Sequence, residues 1–160
     1  MKDNINKNIA VLSMARNDNF FIAKWIDFYS QIFGFNNLFL ILDGFDQTSP
    51  EKAEKINFIK IPHIKYGRST GDRNRALIIS KFAKTLFHRY DLVIACDIDE
   101  LLVVDPNVNL TLFEYLQKPI FSSSLSALGL DVGQNRNNEK SINPKTVSYT
   151  HLTLPTNREV

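Results

Sequence analysis

A chain of 160 residues, 44% of them hydrophobic, is long enough to bury one real core and short enough to predict a single domain. A formal charge of +2 excludes an electrostatic case for wholesale nucleic-acid binding, and a single cysteine, Cys96, excludes an internal disulfide framework and suits a reducing compartment. No apolar run is long enough for a signal peptide or a membrane span, so the expectation is a soluble cytoplasmic protein with no transmembrane segment.

In chain order, "NIAVLSMA" at 8–15 is a short apolar, β-branched run and predicts a buried strand. "RNDN" follows, with Asp18 or Asn19 placed as a helix N-cap. Over 19–34 Phe21, Trp25, Phe28, Ile32 and Phe33 recur at helical spacing, and Gly34 supplies the stop. A second strand is expected at 37–43, ending in the turn-rich "DGFDQTSPE", and a third at 55–61. The residues from Pro62 read as loop up to a long helix at 72–90, with Thr70 or Asp72 as its cap. Ala76, Ile79, Phe82, Ala83 and Leu86 share one of its faces. "DLVIACD" at 91–97 is the fourth strand, 110–117 a short helix, and 123–133 a further strand. Apolar strands alternating with helices predict an α/β fold with a largely parallel sheet covered on its faces.

The run from Val147 to Thr156, "VSYTHLTLPT", matches the translation of a transposase-type sequencing adapter, and "NREV" completes the frame such an adapter leaves. The expected organisation is therefore one incomplete domain over 1–146 and a non-native tail over 147–160.

In an open parallel sheet, ligands collect beyond the carboxyl ends of the strands, near a switch in strand order. The polar residues there are Arg16, Asn17 and Asp18 after the first strand and Asp43, Asp46 and Thr48 after the second. Lys65, Arg68 and Arg73 follow the third, and Asp97, Asp99 and Glu100 the fourth. Side chains alternate along a strand, so an Asp-x-Asp at its end sends Asp97 and Asp99 to the same side. Two hard oxygen donors there suit Mg²⁺ or Mn²⁺, which take one or two carboxylates together with substrate phosphates. Arg16, Arg68, Arg73 and Arg75 offer donor forks for phosphate, although Arg75 also reads as an exposed helix charge. Asp43 either accepts from a ribose hydroxyl or base imide, or opens the turn. Trp25 reads as core, His63 and His88 as ordinary loop and helix residues, and Cys96 as a packing residue whose thiolate is disfavoured.

Three stretches, "MARNDNFFIAKWIDFYSQIFGFNNLFLILDGFDQTS", "GDRNRALIISKF" and "YDLVIACDIDELLV", resemble the family 2-like glycosyltransferases of GT-A fold. The closest subgroup shows R-N-E, then E-W and a helix ending in L-G, a strand ending in D, and D-x-D-E-F. The resemblance runs from about residue 9 to 105. It implies sugar transfer from a nucleotide-sugar donor to a saccharide or other hydroxyl acceptor, in bacterial surface-polysaccharide synthesis, with a divalent cation (Mn²⁺ or Mg²⁺) bridging the D-x-D and the diphosphate. It makes Asp97 and Asp99 the metal ligands. Asp43 becomes a nucleoside contact, Arg16 part of the nucleotide pocket, and Glu100 a border of the sugar or metal shell; Arg73 joins the donor site from charge and placement. The general base of inverting relatives comes from later in the fold, so no catalytic base is named. Asp18 replaces the usual Glu, Lys24 stands where an acid often precedes Trp25, and Leu101 replaces the aromatic after the acidic trio.

Peripheral membrane association of the full-length protein stays open. A metal-dependent nucleotidyl- or phosphotransferase or a hydrolase is the alternative enzyme class. It would want a Gly-rich phosphate loop after the first strand, where "SMARNDN" has no glycine. A third reading is an inactive fragment acting only as a binding domain.

Overall fold

The computed structural model describes residues 6–119 and 122–130. The chain divides into two compact units, 1–120 and 121–160. In the second, residues 122–130 carry no regular secondary structure. The strand expected at 123–133 is thus not formed over 123–130; residues 131–133 and the adapter-like run lie outside the described residues. Leu125 and Leu128 there are 56% and 76% exposed.

The first unit is α/β. Its elements are β1 (Ile9–Ala15), α1 (Asn19–Phe33), β2 (Leu38–Asp43), β3 (Asn57–Ile61), α2 (Arg68–Leu86), β4 (Leu92–Ala95) and α3 (Leu112–Gln117). The four strands form one sheet in the order β3-β2-β1-β4, and every pairing is parallel. The chain moves outward from β1 through β2 to β3, then returns across the sheet to β4. Right-handed crossovers travelling in opposite directions put their helices on opposite faces, and the core divides accordingly.

β1 is buried along its whole length because it sits between β2 and β4 with both faces covered. Ile9, Val11 and Ala15 face one cluster with α1 and α3, while Ala10, Leu12 and Met14 face the other with α2. This is the period-two alternation of a strand, with both sets apolar because both faces are covered. Trp25, Ile26, Tyr29, Leu12 and Leu40 are among the most buried side chains, and each large apolar one contributes about 1.5–3 kcal/mol.

α1 starts where Asp18 caps it, accepting from the Phe21 N–H at 3.3 Å, and ends at Gly34 with φ of 81°. Its buried stripe is Ile22, Trp25, Ile26, Tyr29 and Phe33, whereas Phe21, Phe28 and Ile32 only flank the core. The expected stripe was displaced because the helix is apolar almost all round. α2 begins four residues before the expected start, at Arg68 rather than 72, with Gly67 as N-cap. Gly71 does not break it, and the Gly71 N–H bonds the Gly67 carbonyl at 2.9 Å. Its inner face is Ile78, Ile79, Phe82, Ala83 and Leu86, with Ala76 exposed. β4 spans only Leu92–Ala95 instead of 91–97. Among the described residues no helix is long and apolar enough to cross a membrane.

Candidate functional site

The strand order reverses between β1 and β4, the position where open parallel sheets leave a crevice at their carboxyl ends. Ser13, fully buried near the end of β1, donates from Oγ to the Cys96 carbonyl just after β4, at 2.9 Å. That bond joins the two strand ends beneath the crevice.

The loops after β1 and β2 are tied together. Arg16 donates from Nη1 to the Asp43 carbonyl, and forks onto Asp46 with Nη1–Oδ1 of 3.0 Å and Nη2–Oδ2 of 2.9 Å. The fork raises the Arg16 pKa and lowers that of Asp46, each chiefly through the hydrogen bond between them. One residue on, Asn17, with φ of 55°, donates its N–H to Gln47 Oε1 at 2.7 Å, while Gln47 Nε2 returns a bond to Asn17 Oδ1 at 2.9 Å. Asn tolerates this left-handed backbone better than most residues. The Arg16–Asp46 fork passes over Gly44, whose φ is 132° and where a Cβ would collide with Arg16 Nη1 and Asp46 Oδ1. Asp46, placed by sequence only beyond the strand end, is thus the partner that fixes Arg16.

Asp43 is half-buried, and its Oδ2 lies 2.8 Å from His63 Nδ1. His63 was expected to be an ordinary loop residue. The parallel register pairs Asp43 with Ile61, which brings the residue two beyond Ile61 alongside Asp43. The pairing therefore follows from strand register, which single-residue spacing rules do not see.

At the ends of β1 and β4, Arg75 of α2 donates from Nη2 to the Met14 carbonyl at 2.8 Å and pairs with Asp97 Oδ1 at 3.0 Å. Its Nε is buried without a hydrogen-bond partner. Arg75 read as a donor fork or as an exposed helix charge; its side chain is 37% exposed, and it continues the inward stripe of α2 one turn before Ile78 and Ile79. Arg73, the arginine favoured for the donor site, is exposed, and among the described residues it makes no side-chain hydrogen bond or ion pair.

The acidic trio does not lie on the strand. β4 ends at Ala95, and Asp97 to Glu100 form a turn closed by the Glu100 N–H on the Asp97 carbonyl at 3.1 Å. Glu100 Oε2 accepts from the Asp97 N–H at 3.2 Å. Strand alternation therefore does not set the direction of Asp97 and Asp99, because the turn begins before it applies. Both are nonetheless exposed while Ile98 between them is 6% exposed and packs into the core. Exposure, with Arg75 beside Asp97, is what makes the carboxylates tolerable next to an apolar run. From below, Tyr29 of α1 is fully buried, and its hydroxyl meets the Leu102 N–H, the Glu100 carbonyl and Cys96 Sγ at 2.9, 3.4 and 3.6 Å. Burial pushes the Cys96 thiol up, as expected for a packing cysteine.

No family model, curated protein or solved structure matches this chain. The functional reading therefore rests on the residues themselves. Among the described residues no group of three or more His, Cys, Asp or Glu side chains is gathered to hold a metal ion. Asp97 and Asp99 remain an exposed pair of hard oxygen donors. Two exposed carboxylates, one of them paired with Arg75, do not by themselves form a protein-held metal site; a cation there would have to take most of its shell from water and phosphate oxygens.

Proposed function

We propose that the chain carries the nucleotide-binding part of a GT-A-type glycosyltransferase, moving a sugar from a nucleotide-diphosphate donor to a saccharide or other hydroxyl acceptor. The observation that carries the reading is the β1/β4 switch point, where Arg75 and Asp97 meet at the carboxyl ends of two adjacent parallel strands. Arg16 follows β1 itself, and Asp43 and His63 stand at the ends of β2 and β3.

Each residue has a task in this reading. Asp43, steadied by His63, accepts from the nucleoside. Arg16, held by Asp46, lines the nucleotide pocket, and Arg73 is a donor-side cation. Asp97 and Asp99 would hold Mn²⁺ or Mg²⁺, and Glu100 keeps their turn closed. If they held one, its chemistry would be Lewis-acid stabilisation of the diphosphate leaving group. The chain's own arginines stabilise the negative charge that grows on that group as the glycosidic bond breaks. The general base that deprotonates the acceptor is not assigned to a residue of this chain. Bacterial surface-polysaccharide synthesis in the cytoplasm is the setting that goes with this reading.

Thermal-shift titrations with UDP and with GDP, each with and without Mn²⁺, test it. The expected result is stabilisation by one nucleotide that requires Mn²⁺ and is lost in Asp99→Ala. No shift with either nucleotide, together with an unaltered Asp99→Ala profile, would overturn it.

A further inference from the structure

We infer that the loop joining β3 to α2, together with the tip of the loop after β2, is a contact surface for an anionic lipid bilayer. The inference goes beyond glycosyl transfer and stands without it.

Two adjoining loops carry the surface. The Gly44 N–H bonds the Ile61 carbonyl at 2.9 Å and Asp43 meets His63, so the chain leaving β2 and the chain leaving β3 run side by side. Just beyond these ties, Phe45 is 68% exposed, Ile64 58% and Tyr66 45%. Residues 62–70 are exposed without a break. Tyr66 is backed by the first turn of α2, where a Cβ on Gly71 would lie 3.9 Å from Tyr66 Cβ. A single exposed apolar side chain is ordinary on any protein surface, whereas three large ones on adjoining loops mark a contact site.

The charges decide the partner. The stretch 62–70 holds Lys65 and Arg68 and no acid. Both cations are exposed, and among the described residues neither makes an ion pair. The acids on either side of Gly44 are engaged, Asp43 with His63 and Asp46 with Arg16. The loop thus interleaves free positive charge with aliphatic and aromatic side chains. An anionic bilayer interface complements that pattern: the acyl boundary takes Ile64 and the rings, and the headgroup phosphates take Lys65 and Arg68. Single-stranded nucleic acid would stack on the rings and leave Ile64 without a role. β3 is an edge strand, about 10 Å from β1, so the bilayer would lie at the end of the sheet away from the β1/β4 switch point.

The test is flotation of the full 160-residue chain with vesicles of phosphatidylcholine alone and of phosphatidylcholine mixed equally with phosphatidylglycerol. The protein should float with the mixed vesicles and not with phosphatidylcholine alone, and added salt should weaken the attachment. Lys65→Ala should weaken it about fivefold, the worth of one basic residue at an anionic surface. Ile64→Ser, and Phe45→Ser on the other loop, should weaken it by a factor that salt leaves unchanged. Tyr66→Trp reads insertion directly: vesicles with brominated acyl chains should quench its emission, while the fully buried Trp25 of the wild type should not respond. A wild type that does not float with the mixed vesicles, or floats equally with both kinds, overturns the inference. Attachment left intact by both serine variants, or a Tyr66→Trp signal that bromine does not quench, overturns it too. So does an RNA oligonucleotide that binds the chain without lipid and strips it from the vesicles.

Discussion

The hydroxyl of Tyr29 accepts a hydrogen bond from the backbone N–H of Leu102 at 2.9 Å, so helix α1 holds the downstream end of the acidic turn from inside the core. The same oxygen reaches the Glu100 carbonyl and Cys96 Sγ. One buried side chain therefore touches both limbs of the segment carrying Asp97, Asp99 and Glu100. Tyr29→Phe keeps the ring packing and removes only the oxygen, leaving the Leu102 N–H short of a partner. The expected cost is about 1–2 kcal/mol, read as a lowered urea midpoint with unchanged slope. The turn should also loosen, with faster amide exchange from 97 to 102; a protected turn in the variant would refute the clamp.

High pH should act through the same place. Burial pushes the Tyr29 hydroxyl and the Cys96 thiol up from their ordinary 10.0 and 9.0. Both groups become anions on losing a proton, and the folded protein holds that proton more tightly than the unfolded chain. Their stabilising contribution is complete below the ordinary values and is lost as pH rises past them toward the folded ones. Urea unfolding from about pH 8 to about pH 11 should show falling stability. Tyr29→Phe should flatten part of that slope, and an identical slope in the variant would count against it.

The layout of the sheet was legible in the sequence because the strands are short apolar runs closed by polar turns, and Asp18 and Gly34 mark the ends of α1. What failed had specific causes. Arg75 read both as a donor fork and as an exposed helix charge, and its spacing from Ile78, Ile79, Phe82 and Leu86 carried the signal of an inward position. His63 was passed over because its partner Asp43 is brought alongside by the β2–β3 register, a relation that no local window contains. Strand alternation was applied to Asp97 and Asp99 because "CDIDELLVV" has no glycine or proline to announce that the strand stops at Ala95. The assignments of Asp97, Asp99, Arg16, Asp43, Arg73 and Glu100 to a donor site remain matters for the binding experiments.

Gly44 and Gly34 both have positive φ, and they make a controlled pair. At Gly34 an added Cβ meets nothing within 4 Å, so alanine there should cost only the backbone strain. At Gly44 the same methyl strikes the Arg16–Asp46 fork as well. Both replacements should lower Tm, by strain of about 1–3 kcal/mol, and Gly44→Ala should lower it further and weaken nucleotide binding. Equal losses at the two sites would show that the fork yields without resistance.

Acid should loosen α3 before the sheet. The Thr111 N–H and hydroxyl hold the Glu114 carboxyl below its ordinary 4.5, in a reciprocal capping box. The support this gives is present above that value and is lost as pH falls through the lower folded one. Protection of the Tyr115 and Leu116 amides, taken relative to their intrinsic exchange rates at each pH, should therefore fall on acidification. Glu114→Gln keeps the cap's acceptor and removes the ionisation, so protection in that variant should lose this pH dependence.

β1 carries a consequence for the order in which the molecule is made. It leaves the ribosome well before β4, one of its two neighbours, and Asn8 bonds Asp91 across 83 residues. Until that later strand is synthesised, β1 keeps one unpaired edge, although β2 can already cover the other. Closing so long a loop is slow relative to local helix formation, and an apolar strand with an open edge is the segment most apt to pair wrongly in the interval. α2, which must cross the sheet to deliver β4, thus governs how long that exposure lasts. Substitutions on its inner face should change the yield of folded protein during translation more than they change the stability of protein that has already folded.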